Sequence, residues 1–285
     1  MSYPIKCIGV LGAGQMGAGI AQTAAQHGFS ICLCDVNLQA AEAGKAKIEK
    51  SLSRLVEKGK ISESDRKGTL EDINLVDGVE GLSRCDLIVE AASEDKELKF
   101  KLFRKIDEVA KPDAILASNT SSISITELAS VTKRPEKVAG MHFMNPVPIM
   151  KLVEGIRGLQ TTDETFKSIR FVAEKMGKTF VEANDFPGFA VNRILMPMIN
   201  EAVTALQEGV ASAIDIDTAM KLGTNQPMGP LELADFIGLD TCLAIMNVLH
   251  DGLGDSKYRP SPLLKNYVAA GWYGRKTKRG FFTYE

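Results

Sequence analysis

Aromatic residues make up only 6% of this 285-residue chain, with a single tryptophan, and histidine occurs three times. So few histidines, and no close pairing of cysteine or histidine at metal-ligand spacing, leave no metal site legible in the sequence. Net charge is equally scant, at −2 with a pI near 6.0. No global field therefore recruits nucleic acid or an anionic membrane surface. No apolar run approaches the roughly 20 residues that a bilayer crossing needs. The first residues run directly into a strand, so no signal peptide is expected and the expected location is cytoplasmic. Five cysteines, an odd number, include Cys7, Cys32 and Cys34 inside strand-like runs. They fit small core hydrophobes in a reducing compartment better than a disulfide framework. Repeats and low-complexity segments are missing too. What is there, 45% hydrophobic and 25% charged residues, is the balance of a globular protein with enough chain for two domains.

Against this plain background, residues 6–17 stand out. An apolar strand over 6–11 runs into Gly12-Ala-Gly14-Gln15-Met16-Gly17, and a small-residue helix follows. That order suits a dinucleotide pyrophosphate. Gly12 permits the tight turn, Gly14 removes a side chain that would block the phosphates, and Gly17 lets the helix pack on the strand. Backbone N–H groups and the positive helix end then face the diphosphate. Asp35 closes the next apolar run, 18 residues beyond Gly17, near the spacing at which a carboxylate holds the adenosine ribose. A 2′-phosphate beside it would be repelled, and no Lys or Arg occurs from Val36 to Gly44 to relieve that, which favours NAD over NADP. An ordinary turn or helix-start aspartate is the plainer alternative for Asp35.

The first half alternates apolar strands with amphipathic helices, the pattern of a mostly parallel sheet. Strands are predicted near 5–11, 30–35, 72–76, 86–90, 113–117, 137–142, 150–155 and 178–182. Helices are predicted over 15–27, 38–58, 62–70, 94–110 and 163–176. From Asp185 the texture turns helical, with helices over 188–208, 214–221, 230–237, 239–250 and 261–270, and with Pro187 and Pro230 at helix starts. The fold class expected is α/β: a Rossmann-like domain over 1–184, then an all-α domain over 185–285. Segments such as 194–199 and 239–249 are apolar round much of their circumference, so they belong between helices or between subunits. A homodimer through the helical domain is expected.

Three segments carry candidate chemistry. His142 ends one strand, a proline-fixed turn (Asn145-Pro146-Val147-Pro148) follows, and Glu154 lies on the next strand. Such a hairpin returns the carboxylate to the imidazole, fixing its tautomer and favouring the imidazolium, as reversible proton transfer requires. A purely structural His–Glu pair is the alternative. Ser118-Asn119-Thr120-Ser121-Ser122 follows a buried strand, where open α/β sheets bind ligands, although a helix cap would use the same residue types. Asn192 falls early in the first helix of the second domain, where it reaches a ligand or merely packs. Lys47, Lys50, Arg54 and Lys58 share one face of the helix after Asp35, suited to a phosphate-bearing tail or to solvent.

Together these residues resemble the 3-hydroxyacyl-CoA dehydrogenase family over essentially the whole chain. The resemblance rests on Gly12–Gly17, Val89-Glu90-Ala91-Ala92, Ser118–Ser122, the segment His142–Glu154, Pro187-Gly188-Phe189-Ala190-Val191-Asn192-Arg193 and Pro227-Met228-Gly229-Pro230-Leu231-Glu232-Leu233. It implies NAD-linked, reversible hydride transfer between 3-hydroxyacyl-CoA and 3-oxoacyl-CoA, with no metal. It assigns catalysis to His142, Glu154, Ser121 and Asn192. It gives the cofactor Gly12, Gly14, Gln15, Met16, Gly17, Asp35, Ala91, Glu94, Lys99 and Asn119. The acyl-CoA substrate receives Lys50, Ser51, Arg54 and Lys58, together with Ser121, Asn145 and Asn192. Rival readings are a dehydrogenase of a free hydroxy acid or sugar acid, and a non-catalytic NAD-binding protein. Neither needs the CoA contacts, and the second has no use for His142, Glu154, Ser121 and Asn192 together.

Overall fold

Strand β1, Cys7–Leu11, is buried from Ile8 onward, and β2, Ser30–Cys34, from Ile31 onward. Runs this apolar cannot show one face to water, so they lie inside a parallel sheet covered by helices. The computed structural model describes residues 5–285. The remaining strands are β3 (Ile73–Leu75), β4 (Leu87–Glu90), β5 (Ile115–Ser118), β6 (Val138–Phe143), β7 (Leu152–Arg157) and β8 (Thr179–Asn184). They form one eight-stranded sheet in the order β3-β2-β1-β4-β5-β6-β7-β8. Neighbours are parallel except β6 and β7, which pair antiparallel. Strand order reverses between β1 and β4, and the carboxyl ends there are where such sheets bind nucleotides.

Flanking helices are α1 (Gln15–Gln26), α2 (Leu38–Glu57), α3 (Glu63–Glu71), α4 (Lys96–Val109), α5 (Ile125–Ser130) and α6 (Asp163–Lys175). In α2 the Asn37 side chain accepts from Ala40 N at the start, and Ala41, Gly44, Ile48 and Leu52 form the buried stripe. That stripe leaves Lys47, Lys50, Arg54 and Lys58 exposed on other faces. Helix α1 is capped by His27, whose Nδ1 lies 2.8 Å from Thr23 O in the last turn, and Gly28 beyond it has a φ of 77° that continues no helix.

The chain divides into two compact units, one ending at Phe186 and one spanning Pro187–Glu285. The second holds α7 (Val191–Gln207), α8 (Ala213–Gly223), α9 (Pro230–Ile237), α10 (Leu239–Leu253) and α11 (Pro262–Ala269). Its core gathers Met196, Ile199, Val203, Leu231, Leu239, Met246 and Leu249. Pro230 opens α9 as expected, and the buried Asp217 carboxylate accepts from Leu231 N and Glu232 N at 2.9 and 2.8 Å.

Three expectations need correction. Pro187 does not start a helix: Gly188 and Phe189 have φ of 77° and 50°, so the chain turns and α7 begins only at Val191. The helix expected from residue 94 begins at Lys96, because Asp95 caps it by accepting from Leu98 N. The strand expected from residue 150 begins at Leu152, because Ile149 N and Met150 N both donate to Pro146 O and prolong the turn. Helix α5, absent from the predicted set of ranges, is short and capped by Ser124, with Asp185 accepting from Ser124 Oγ, Ile125 N and Thr126 N.

Candidate active site

The Gly-rich loop leaves β1 at Gly12, whose φ is 104° and whose added Cβ would lie 2.6 Å from Ala91 O. A Cβ on Gly17 would stand 1.7 Å from Gly12 O, so nothing larger packs there. At Gly14 a Cβ would meet nothing within 4 Å, which leaves open space above the loop. Asp35 braces this cradle: its Oδ2 accepts from Ala13 N at 2.5 Å and its Oδ1 from Val36 N at 2.6 Å. Gly12, Gly14, Asp35 and Ala91 line one cleft of about 370 Å³. Open backbone at a helix N-terminus beside a carboxylate fits a dinucleotide with an unmodified ribose. The sequence reading missed Leu98, Leu102 and Lys105, which also line this cleft. Their helical spacing on α4 was the available signal.

Deeper along the same edge of the sheet, His142 and Glu154 face each other directly as a register pair of β6 and β7. His142 Nδ1 is 2.8 Å from Glu154 Oε2, and His142 Nε2 is 2.9 Å from Ser121 Oγ. Glu154 is 0% exposed and His142 is 6% exposed. A carboxylate only accepts, so Nδ1 carries the proton and the lone pair of neutral imidazole lies on Nε2, toward Ser121. The hairpin that joins these strands is held by Lys178, a buried ammonium that donates to Val147 O and Met150 O. Burial pushes the Lys178 ammonium below its usual range. Asn119 Oδ1 accepts from Phe143 N at 2.9 Å and ties the end of β5 to that of β6.

Glu94 and Lys99 belong to a buried charge cluster. Lys99 Nζ lies 2.6 Å from Glu90 Oε1, 3.3 Å from Glu94 Oε2 and 3.3 Å from Ala92 O. Glu90 also accepts from Ser118 Oγ at 2.6 Å and from Ala92 N at 2.7 Å. Glu94 Oε1 accepts from Thr120 Oγ1 at 2.5 Å, Ser122 Oγ at 2.8 Å and Ser121 N at 2.9 Å. Burial alone would raise the Glu94 carboxyl, but the Lys99 ammonium and these donors hold it below the ordinary carboxylate range. Lys99 itself is 0% exposed, so it supports Glu94 rather than presenting a surface of its own. Glu90, at the end of an apolar strand, went unremarked in the sequence as a member of this cluster.

A second, larger cleft of about 1190 Å³ brings together Lys50, Ser51, Arg54, Lys58, Gln15 and Asn145. Gln15 Nε2 donates to Asn145 Oδ1 at 2.9 Å, joining the Gly-rich loop to the proline turn. Lys47, Lys60 and His27 add further basic groups, and no Asp or Glu lines this cleft. Met16 is half-buried at the start of α1 and packs on the core of the first unit. Asn192 belongs to the second unit, buried in the first turn of α7.

The model of the 3-hydroxyacyl-CoA dehydrogenase NAD binding domain matches residues 7–186, and that of the 3-hydroxyacyl-CoA dehydrogenase C-terminal domain matches 188–284. A protein of Bacillus subtilis (strain 168) named "Probable 3-hydroxybutyryl-CoA dehydrogenase" is 58% identical over 281 residues, covering 99% of this chain and 98% of its own. The 3-hydroxybutyryl-CoA dehydrogenase of Bradyrhizobium diazoefficiens is 55% identical over 284 residues, covering 100% of this chain and 97% of its own. Among solved structures, the (S)-3-hydroxybutyryl-CoA dehydrogenase PaaH1 of Ralstonia eutropha superposes with a TM-score of 0.97 at 48% identity, over 99% of both chains.

Proposed function

The chain belongs to the 3-hydroxyacyl-CoA dehydrogenase family of NAD-dependent oxidoreductases, and on that premise we propose that it interconverts (3S)-3-hydroxybutyryl-CoA and acetoacetyl-CoA. The observation that carries the chemistry is the line Ser121–His142–Glu154 at the carboxyl edge of the sheet, where the Gly-rich loop also opens. Nicotinamide, when bound, supplies the acceptor or donor of the hydride at C3.

His142 moves the proton. In the oxidative direction its Nε2 lone pair takes the proton of the 3-hydroxyl, and in the reductive direction the imidazolium returns one to the same oxygen. Glu154 holds the ring and stabilises the imidazolium that forms. Ser121 donates to the substrate oxygen in place of its present bond to Nε2, a positioning effect. Asp35 holds the adenosine ribose, and Lys99 acts through Glu94, whose acceptors order the Thr120–Ser122 turn that carries Ser121.

The basic cleft supports a CoA substrate over a free hydroxy acid, because a short acid leaves Lys50, Arg54 and Lys58 without a partner. Purified protein should consume NADH when acetoacetyl-CoA is added and not when free acetoacetate is added. The double variant Lys50→Glu/Arg54→Glu should raise KM for acetoacetyl-CoA by about tenfold or more, the factor equivalent to ~1.4 kcal/mol. It should leave KM for S-acetoacetyl-N-acetylcysteamine, which lacks the nucleotide, unchanged. Equal rates with acetoacetate and acetoacetyl-CoA would overturn the substrate assignment.

Support for a homodimer comes from the second unit, where Ile194, Ile214, Leu222 and Phe236 are 72%, 67%, 82% and 55% exposed. Apolar side chains of this size gather at subunit interfaces. Sedimentation equilibrium should return twice the chain mass, and Ile194→Asp should halve it. A wild-type protein that sediments as a monomer at micromolar concentration would sink the idea.

A further inference from the structure

Three thiols that no step above uses meet on one side of the sheet. Cys7 opens β1, Cys32 is the middle residue of β2, and Cys85 lies just ahead of β4. Gly9 pairs with Cys32 across β1 and β2, and it leaves room for the Cys85 sulfur, which a Cβ on Gly9 would approach to 3.1 Å. Cys7 Sγ stands 3.6 Å from Cys85 Sγ and 3.9 Å from Cys32 Sγ, and all three sulfurs lie within 4.8 Å of one another. Arg84 Nε donates to Cys32 Sγ at 3.1 Å. No other group of this kind occurs among the described residues.

We propose that Cys7, Cys32 and Cys85 form a binding site for one thiophilic divalent cation, Zn²⁺ being the ion of that class, separate from the dehydrogenase site. Size is the first argument. With zinc–sulfur distances of about 2.3 Å and tetrahedral angles, thiolates around one ion stand about 3.8 Å apart, close to the 3.6 and 3.9 Å already present. Backbone geometry is the second. Cys7 and Cys32 sit on adjacent parallel strands, offset by two residues. That offset puts their Cα atoms about 8 Å apart, beyond the roughly 7 Å that a disulfide spans. Cys7 is only partly buried, and Arg84 beside it is exposed, so an ion enters past them.

The test uses the reduced full-length protein and Cd²⁺, whose thiolate complexes absorb in the near ultraviolet by charge transfer. One equivalent should bind, with the band lost in Cys7→Ala and Cys32→Ala and kept in Cys242→Ala. Zn²⁺ should displace it. Should those variants fail to fold, the wild type still answers: one equivalent of Zn²⁺ should slow alkylation of Cys7 at least tenfold, read by peptide mass. Unchanged alkylation overturns the proposal, as does a Cd²⁺ band that survives loss of Cys32. A native mass two daltons low, with Cys7 joined to Cys85, would instead make the cluster a disulfide site and also overturn it. The NADH assay is scored separately, so failure of this site leaves the dehydrogenase reading standing.

Discussion

His142→Gln should lower kcat for acetoacetyl-CoA reduction by about 10²–10⁴-fold, the usual worth of a positioned acid–base group. KM should change little, because glutamine fills similar space and Ser121 remains. The pH profile separates a proton carrier from a structural residue. In the wild type, reduction should fall and oxidation should rise as pH increases, since one direction needs the imidazolium and the other the free Nε2 lone pair. In the variant both limbs should flatten. Glu154→Gln should keep the hairpin register but stabilise the imidazolium less, so it should lose kcat by a smaller factor than His142→Gln. Turnover within tenfold of wild type in His142→Gln, with the pH limbs intact, would remove this histidine from the mechanism.

The second large effect is on stability. Lys99→Met should cost about 3–5 kcal/mol, because it leaves the Glu90 carboxylate buried without its ammonium. Both side chains are 0% exposed and joined at 2.6 Å, so no solvent softens the loss. Urea unfolding should show a lower midpoint, and Lys99→Met/Glu90→Gln should recover much of it because the glutamine buries no charge. An unchanged midpoint in Lys99→Met would show that the pair contributes nothing. A pH effect follows from Glu94. Its carboxyl is depressed in the folded protein, so it contributes stability at pH above the ordinary carboxylate range. That contribution disappears as pH falls through the folded value. Without the Lys99 ammonium the folded value rises, and the acid limb of the stability profile should shift to higher pH.

How much of this was legible follows the range of the interactions. The strands were visible because Val, Ile and Leu runs are bounded by Gly and polar residues, and all eight predicted strands correspond to strands in the sheet. Boundaries drifted where a side chain rather than periodicity set them, as Asp95 did for α4 and the Pro146 carbonyl for β7. The His142–Glu154 contact could be read because twelve residues with a proline turn can close only a short hairpin. Glu90, Lys99 and Glu94 could not be read as one cluster. Their meeting depends on α4 laying a lysine back over the end of β4, and nothing local in the sequence marks a lysine as buried. Lys178 escaped for the same reason, its partners being two carbonyls in a turn 28 and 31 residues away.

The sequence by itself determined the alternation of strands and helices, the glycine cradle with its acid, and the presence of a histidine and a glutamate at hairpin spacing. These depend on local sterics, periodicity and turn chemistry, all carried by residues near one another along the chain. Tertiary structure alone decided the strand order, the basic cleft that joins α2 to the proline turn, and the convergence of Cys7, Cys32 and Cys85. The three cysteines are 25 to 78 residues apart in sequence, and parallel strands bring them together only after helical crossovers have been packed. Their proximity follows from burying one shared core, which no short stretch of sequence encodes.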